Sequence, residues 1–208
     1  MKGYISVYDD RSLYLKDIFK QNGYEIKDYQ DGLDFYFINK ENKPECDFVF
    51  TLNDQKGNYV INKDDKFRHL NNTLTVASFF IAVQNKDFFH KKILILGYGD
   101  LAKQLAKALC TYNEITIANR NYKDEDEIKK YYRHIDIHLM TGSYDYIINT
   151  VPNADIDYGD LKNECIYDLA NTLSLKNYVS LRNLPNLYFP YESAMLMYDY
   201  IVQVINHA

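Results

Sequence analysis

Short apolar runs and one amphipathic stretch organise the first third of the chain. Tyr4-Ile5-Ser6-Val7-Tyr8 alternates with the period of a strand, and after Asp9 and Asp10 the residues Leu13, Leu15, Ile18 and Phe19 recur at helical spacing up to Gly23. Residues 24–29 and 35–38 predict short strands. The continuous aromatic and β-branched run at 47–52 predicts a firmer one. Residues 53–58 carry turn chemistry, and the polar run 62–72 is expected as a loop. This order predicts a small, truncated α/β lobe over residues 1–72.

The pattern then changes. Leu74, Val76, Ala77, Phe79, Phe80, Ile81 and Val83 wrap most of a helix at 73–86, which should be buried on several sides and lie between two lobes. Ile93-Leu94-Ile95-Leu96 is the unbroken apolar run that a central parallel strand, covered on both faces, requires. Helical segments at 101–109 and 125–132 alternate with strands at 115–118, 146–150 and 165–169. The alternation predicts a doubly wound parallel Rossmann sheet, with 73–208 as its domain. A closing helix at 191–206, carrying Ala194, Leu196, Met197, Tyr200, Ile201, Val204 and Ile205, is expected beside the 73–86 helix.

Candidate chemistry gathers where these strands end. Gly97-Tyr98-Gly99-Asp100-Leu101-Ala102 joins a strand to a helix in the Gly-x-Gly-x-x-Ala spacing of a dinucleotide-binding turn. Gly97 permits the tight turn, Gly99 lets a pyrophosphate approach the backbone, and Ala102 lets the helix lie close on the sheet. The second strand ends at Asn119-Arg120, where NAD sites usually carry a carboxylate for the ribose hydroxyls. A guanidinium there pairs with a 2′-phosphate instead, so NADP is expected, with NAD as the alternative. Asn149-Thr150-Val151-Pro152 should border the nicotinamide side, and Asp168 either orients a ligand or caps the following turn. No catalytic acid or base stands out. His134 and His138, at i and i+4, lack the intervening Glu of a zinc-binding helix and are expected as surface residues, so no metal is expected.

Composition narrows the functional classes. A net charge of −5, with lysines scattered among acids, lacks the basic stripe of a nucleic-acid binder. Cys46, Cys110 and Cys165 are too far apart for a zinc site and read as free thiols of a reducing compartment. Without an apolar run of roughly 18 to 20 residues or a signal peptide, a soluble cytoplasmic protein is expected. The apolar closing helix and the tyrosine-rich surface suggest a homodimer.

In order along the chain, Thr75-Val76, the 97–102 turn, Ala118-Asn119-Arg120, residues 148–152, Asp168-Leu169-Ala170, Leu184-Pro185 and Pro190 resemble the A-type subunit of dipicolinate synthase. That resemblance implies a Rossmann domain, a small N-terminal lobe and a cleft between them. It also implies that a second enzyme subunit is the partner in oxidising a dihydrodipicolinate-type compound. The chain departs from that pattern at Ala77-Ser78, at residues 171–174 and at Asn183 and Asn186. Residues 117–120 and 195–198 are also similar to shikimate dehydrogenase and glutamyl-tRNA reductase. The expected activity is an NADP-dependent oxidoreductase acting on a small polar, carboxylated substrate. The competing expectation is a nucleotide-sensing or partner-binding subunit with little catalysis of its own.

Overall fold

The computed structural model describes residues 1–53, 56–152, 156, 158, 161–170, 172 and 178–207. The chain divides into two units, Met1–Leu74 with Leu184–Ala208, and Thr75–Asn183.

The first unit contains β1 (Lys2–Ile5), α1 (Asp10–Gln21), β2 (Glu25–Ile26), β3 (Phe35–Phe37), β4 (Val49–Thr51) and β5 (Tyr59–Val60). Its sheet has the order β2-β1-β3-β4-β5, every pair parallel. Asp9 starts α1 by accepting from the Ser12 N–H at 2.8 Å, while the Ser12 hydroxyl accepts from the Asp9 N–H, a reciprocal cap. The core joins Ile5, Leu15, Phe19, Phe35 and Phe50 to Ala194, Met197 and Ile201 of the last helix.

Two expectations are corrected here. The polar run 62–72 is not a loop: from residue 65 onward it is the first half of α2 (Asp65–Ala82). Asp64 caps that helix by accepting the Phe67 N–H at 2.7 Å. Phe67 is the buried side chain of its opening turns, so an apolar period is missing although the helix is present. The closing helix also changes place. After α3 (Asp100–Leu109) and α4 (Glu125–Lys129) come α5 (Leu184–Tyr188) and α6 (Pro190–His207), and α6 belongs to the first unit, packed on α1. Its stripe meets an aromatic surface, with the Tyr198 ring 4.8 Å from that of Phe19. Asp54 and Gln55 of the expected 53–58 turn lie outside the described residues.

The second unit contains β6 (Lys92–Leu96), α3 (Asp100–Leu109), β7 (Glu114–Asn119), α4 (Glu125–Lys129), β8 (Arg133–Asp136), β9 (Gly142–Asn149), β10 (Leu161–Asp168) and β11 (Val179–Ser180). All its strands are parallel, in the order β11-β10-β9-β6-β7-β8. Counted from β6, this is the 3-2-1-4-5-6 order of the Rossmann fold, which reverses between β6 and β9. Ile93 to Leu96 are fully buried, as a strand covered on both faces demands. The helix expected at 125–132 is shorter, because β8 begins at Arg133. Among the described residues no helix is long and apolar enough to cross a membrane.

Candidate functional site

The ends of β6, β7 and β9 surround a pocket of about 410 Å³ lined by Gly97, Tyr98, Gly99, Asn119, Arg120, Asn121, Asp124, Ile137, Thr150, Val151 and Pro152. It lies beside the point where the strand order reverses, the position at which open α/β sheets hold ligands.

The two glycines serve different needs. Gly97 has a φ of +96°, and a Cβ there would stand 2.8 Å from Thr150 Oγ1 and 3.1 Å from Val151 Cγ2. Both its backbone angle and its neighbours therefore require glycine. Thr150 is held in turn, since its hydroxyl donates to the Leu96 carbonyl at 2.6 Å. Gly99 has an ordinary φ of −71° and precedes the first turn of α3. A Cβ on it would meet no atom within 4 Å, so nothing in the fold itself asks for glycine there. The open space sits before a helix N-terminus whose N–H groups favour an anion.

Three members of the turn support it. Ala102 is fully buried, which lets α3 approach the sheet, and Leu101 is half-buried. The Asp100 carboxylate accepts from Gln104 Nε2 at 2.9 Å. Tyr98 reaches toward α4, donating its hydroxyl to Glu127 Oε1 at 3.1 Å, while Lys103 Nζ sits 4.6 Å from the centre of its ring and 3.1 Å from the same oxygen. Burial first, and then the bond to Glu127, push the Tyr98 hydroxyl up to about 12, so it stays a donor.

At the end of β7, Arg120 is exposed, with no ion-pair partner among the described residues. The acidic start of α4 opposes it less than its letters suggest, because Glu125 pairs with Lys129 and Glu127 with Lys103. Asn119 is buried: its Nδ2 donates to the Asn121 carbonyl at 3.3 Å and to Asp124 Oδ2 at 3.4 Å, and its Oδ1 lies 2.8 Å from His134 Nε2.

Not every residue singled out in the sequence reaches the pocket. Asn149 and Asp168 are fully buried beside it and bonded to each other, with Asn149 Nδ2 donating to Asp168 Oδ1 at 2.9 Å. Asp168 also accepts the N–H groups of Ala170 and Thr172 at 3.1 and 3.0 Å, and Asn149 Oδ1 accepts the Val151 N–H at 3.0 Å. They lock the ends of β9 and β10 in place rather than offering a free group to a ligand. Asn171, Leu173 and Ser174, where the sequence departs from its resemblance, lie outside the described residues.

His134 corrects an expectation. It is no surface residue: its side chain is 5% exposed and sits on β8, while His138 lies in the turn beyond, so no helix relates them. Asn121, Asp124 and Ile137 are pocket residues not anticipated as such. Ile137 follows an edge strand too polar to be read from periodicity, and Asp124 lies in a short turn beyond β7 that carries no motif.

Sheet order, glycine turn and pocket together define a Rossmann fold with a candidate dinucleotide-binding turn. Residues 81–156 match the shikimate/quinate 5-dehydrogenase family. The shikimate dehydrogenase (NADP(+)) of Methanococcus vannielii is 29% identical over 123 residues, 52% of this chain and 41% of that relative, so the match spans less than half the relative's length. The A-type subunit of dipicolinate synthase from Bacillus subtilis superposes with a TM-score of 0.74 at 12% identity, covering 100% of this chain and 96% of the other. Its Bacillus halodurans counterpart gives 0.72 at 13% identity, over 98% and 97%. D-lactate dehydrogenase with NAD+ from Lactobacillus jensenii gives 0.57 at 9% identity, over 100% and 97%. At such identities the likeness is one of fold, and it is the fold expected from the resemblance.

Proposed function

We propose that the chain binds NADP(H) in the 97–152 pocket and is an oxidoreductase acting on a small polar, carboxylated substrate. The observation that carries the reading is the open space at Gly99, in front of the α3 N-terminus, where glycine answers no need of the fold itself. A pyrophosphate fits that need, because it must approach the backbone more closely than a Cβ allows. The Gly99 turn would hold the pyrophosphate, Arg120 a 2′-phosphate, and Thr150, Val151 and Pro152 the nicotinamide side. When bound, a nicotinamide dinucleotide supplies hydride chemistry. The chain's own residues orient it and set the polarity around it. The NADP(+) in the name of the M. vannielii relative supports that cofactor, and the NAD+ bound to the D-lactate dehydrogenase keeps NAD as the alternative.

A second reading, a dinucleotide-binding subunit with little turnover, is favoured by one feature. The titratable side chains among the described pocket residues are Tyr98, Arg120 and Asp124, and none is a histidine or lysine poised to exchange a proton. Titrating purified protein with NADPH and NADH, then assaying turnover with 2-oxo, imino and dihydropyridine acids, separates the readings. Binding with turnover supports the enzyme, binding alone the subunit, and no binding of either dinucleotide removes both.

A further inference from the structure

We infer that His134 is a positioning residue for the adenosine end of this pocket, fixing the Asn119 carboxamide and through it the turn that carries Arg120. The inference rests on the dinucleotide reading above. β7 and β8 pair in parallel with Ile117 opposite His134 and Asn119 opposite Asp136, which sets the imidazole diagonally beneath the end of β7. There its Nε2 lies 2.8 Å from Asn119 Oδ1, and its Nδ1 lies 3.8 Å from Glu125 Oε1 at the start of α4.

The amide can hold one orientation only. Asn119 Nδ2 faces two acceptors, the Asn121 carbonyl and Asp124 Oδ2, at 3.3 and 3.4 Å. Turning the amide over would set oxygen against oxygen there. Asn119 Oδ1 must therefore accept, and His134 Nε2 must carry the proton that it accepts. One buried imidazole thus anchors the residue from which the 119–124 turn departs and lies close to the helix that follows it. Since Asn119 spends its donors on the 119–124 turn and its acceptor on His134, its role toward a ligand is to frame the pocket. Arg120, exposed beside it, is left to meet the ligand. Without His134, Asn119 Oδ1 is buried without its partner, the amide loses its fixed orientation, and Arg120 loses its fixed starting point.

The test is a set of fluorescence titrations with NADPH and NADH on the full chain, with a thermal melt of each variant. His134→Leu should weaken NADPH about tenfold, the size of one hydrogen bond to a charged group, and change NADH by less than about twofold. His134→Gln, whose amide N–H can reach the same acceptor, should restore NADPH binding to within about threefold of the parent. In an Arg120→Ala background His134→Leu should have no further effect on NADPH, because both act through one turn. Asn119→Ala removes the other end of the bond and should reproduce the lost preference, which keeps the test open if His134→Leu fails to fold. Equal losses for both cofactors, no loss, or additive effects with Arg120→Ala would overturn the role of His134 while leaving the dinucleotide site standing. A parent chain that binds neither dinucleotide overturns both.

Discussion

Gly97 and Gly99 stand two residues apart in one turn, yet their substitution should have opposite consequences. At Gly97 any side chain meets a left-handed backbone and the Thr150 hydroxyl, so Gly97→Ala should destabilise the protein with no ligand present, by about 1 to 3 kcal/mol. Urea denaturation of that variant measures the loss. At Gly99 there is room for a side chain, so Gly99→Val should melt like the parent but bind neither NADPH nor NADH. Undiminished binding by Gly99→Val would rule out a dinucleotide at this turn. Arg120 decides between the two cofactors. Charge-assisted contacts to a phosphate contribute about 1.5 to 3 kcal/mol, so Arg120→Ala should weaken NADPH roughly ten- to a hundredfold and leave NADH almost unchanged. Equal losses at fixed ionic strength would show Arg120 to be a bystander. Most of this site is legible in the sequence because each role depends on a residue type in a local strand-turn-helix context. The Asn119–His134 bond is not, since it joins positions that only the β7–β8 register brings together.

Among the elements, legibility follows burial. β6 announces itself because a central strand covered on both faces is apolar at every position from Ile93 to Leu96. β5, β8 and β11 go unread, and each is an edge strand of two to four residues, too short and too one-sided to impose a period. The first half of α2 is hidden for the same reason, with its start marked only by the Asp64 cap; Asp64→Ala should cost about 1 kcal/mol in a denaturation experiment. The loop after β3 holds a more telling group. Burial pushes the Glu41 carboxyl up, but hydrogen bonds from the Ser6 hydroxyl, the Asn39 N–H and the Tyr4 hydroxyl outweigh it and hold the group at about 2 instead of the ordinary 4.5. The folded state therefore binds this proton more weakly than the unfolded chain does. The stabilisation is complete above about pH 4.5 and disappears as pH falls toward about 2. Glu41→Gln should flatten that part of the acid-unfolding curve, and an unchanged acid limb would mean that these bonds do not persist in solution.

At the scale of the whole chain, the second unit is one continuous segment, Thr75–Asn183, whereas the first is assembled from both ends of the sequence. The expected boundary near residue 73 rests on a change of pattern. Which unit α6 belongs to carries no such signal, because an amphipathic stripe records that a helix is buried but not against what. Its partner is decided by the aromatic face of Phe19, Phe50 and their neighbours, which exists only once the first sheet has formed. This division also shapes how a ligand should stabilise the molecule. All the pocket residues belong to the continuous unit, so dinucleotide binding is linked first to the folding of that unit. At a free NADPH concentration one hundred times its Kd, the linkage contributes about 2.7 kcal/mol, which for a chain of this length raises the midpoint of thermal unfolding by about 5 to 10 °C. Hydrogen exchange should then show the added protection concentrated in β6, α3 and β7. For Arg120→Ala at the same NADPH concentration, the shift should shrink toward that given by NADH. A full-sized shift in Arg120→Ala would make Arg120 a bystander, whereas protection gained only in residues 1–74 would place the dinucleotide elsewhere on the chain.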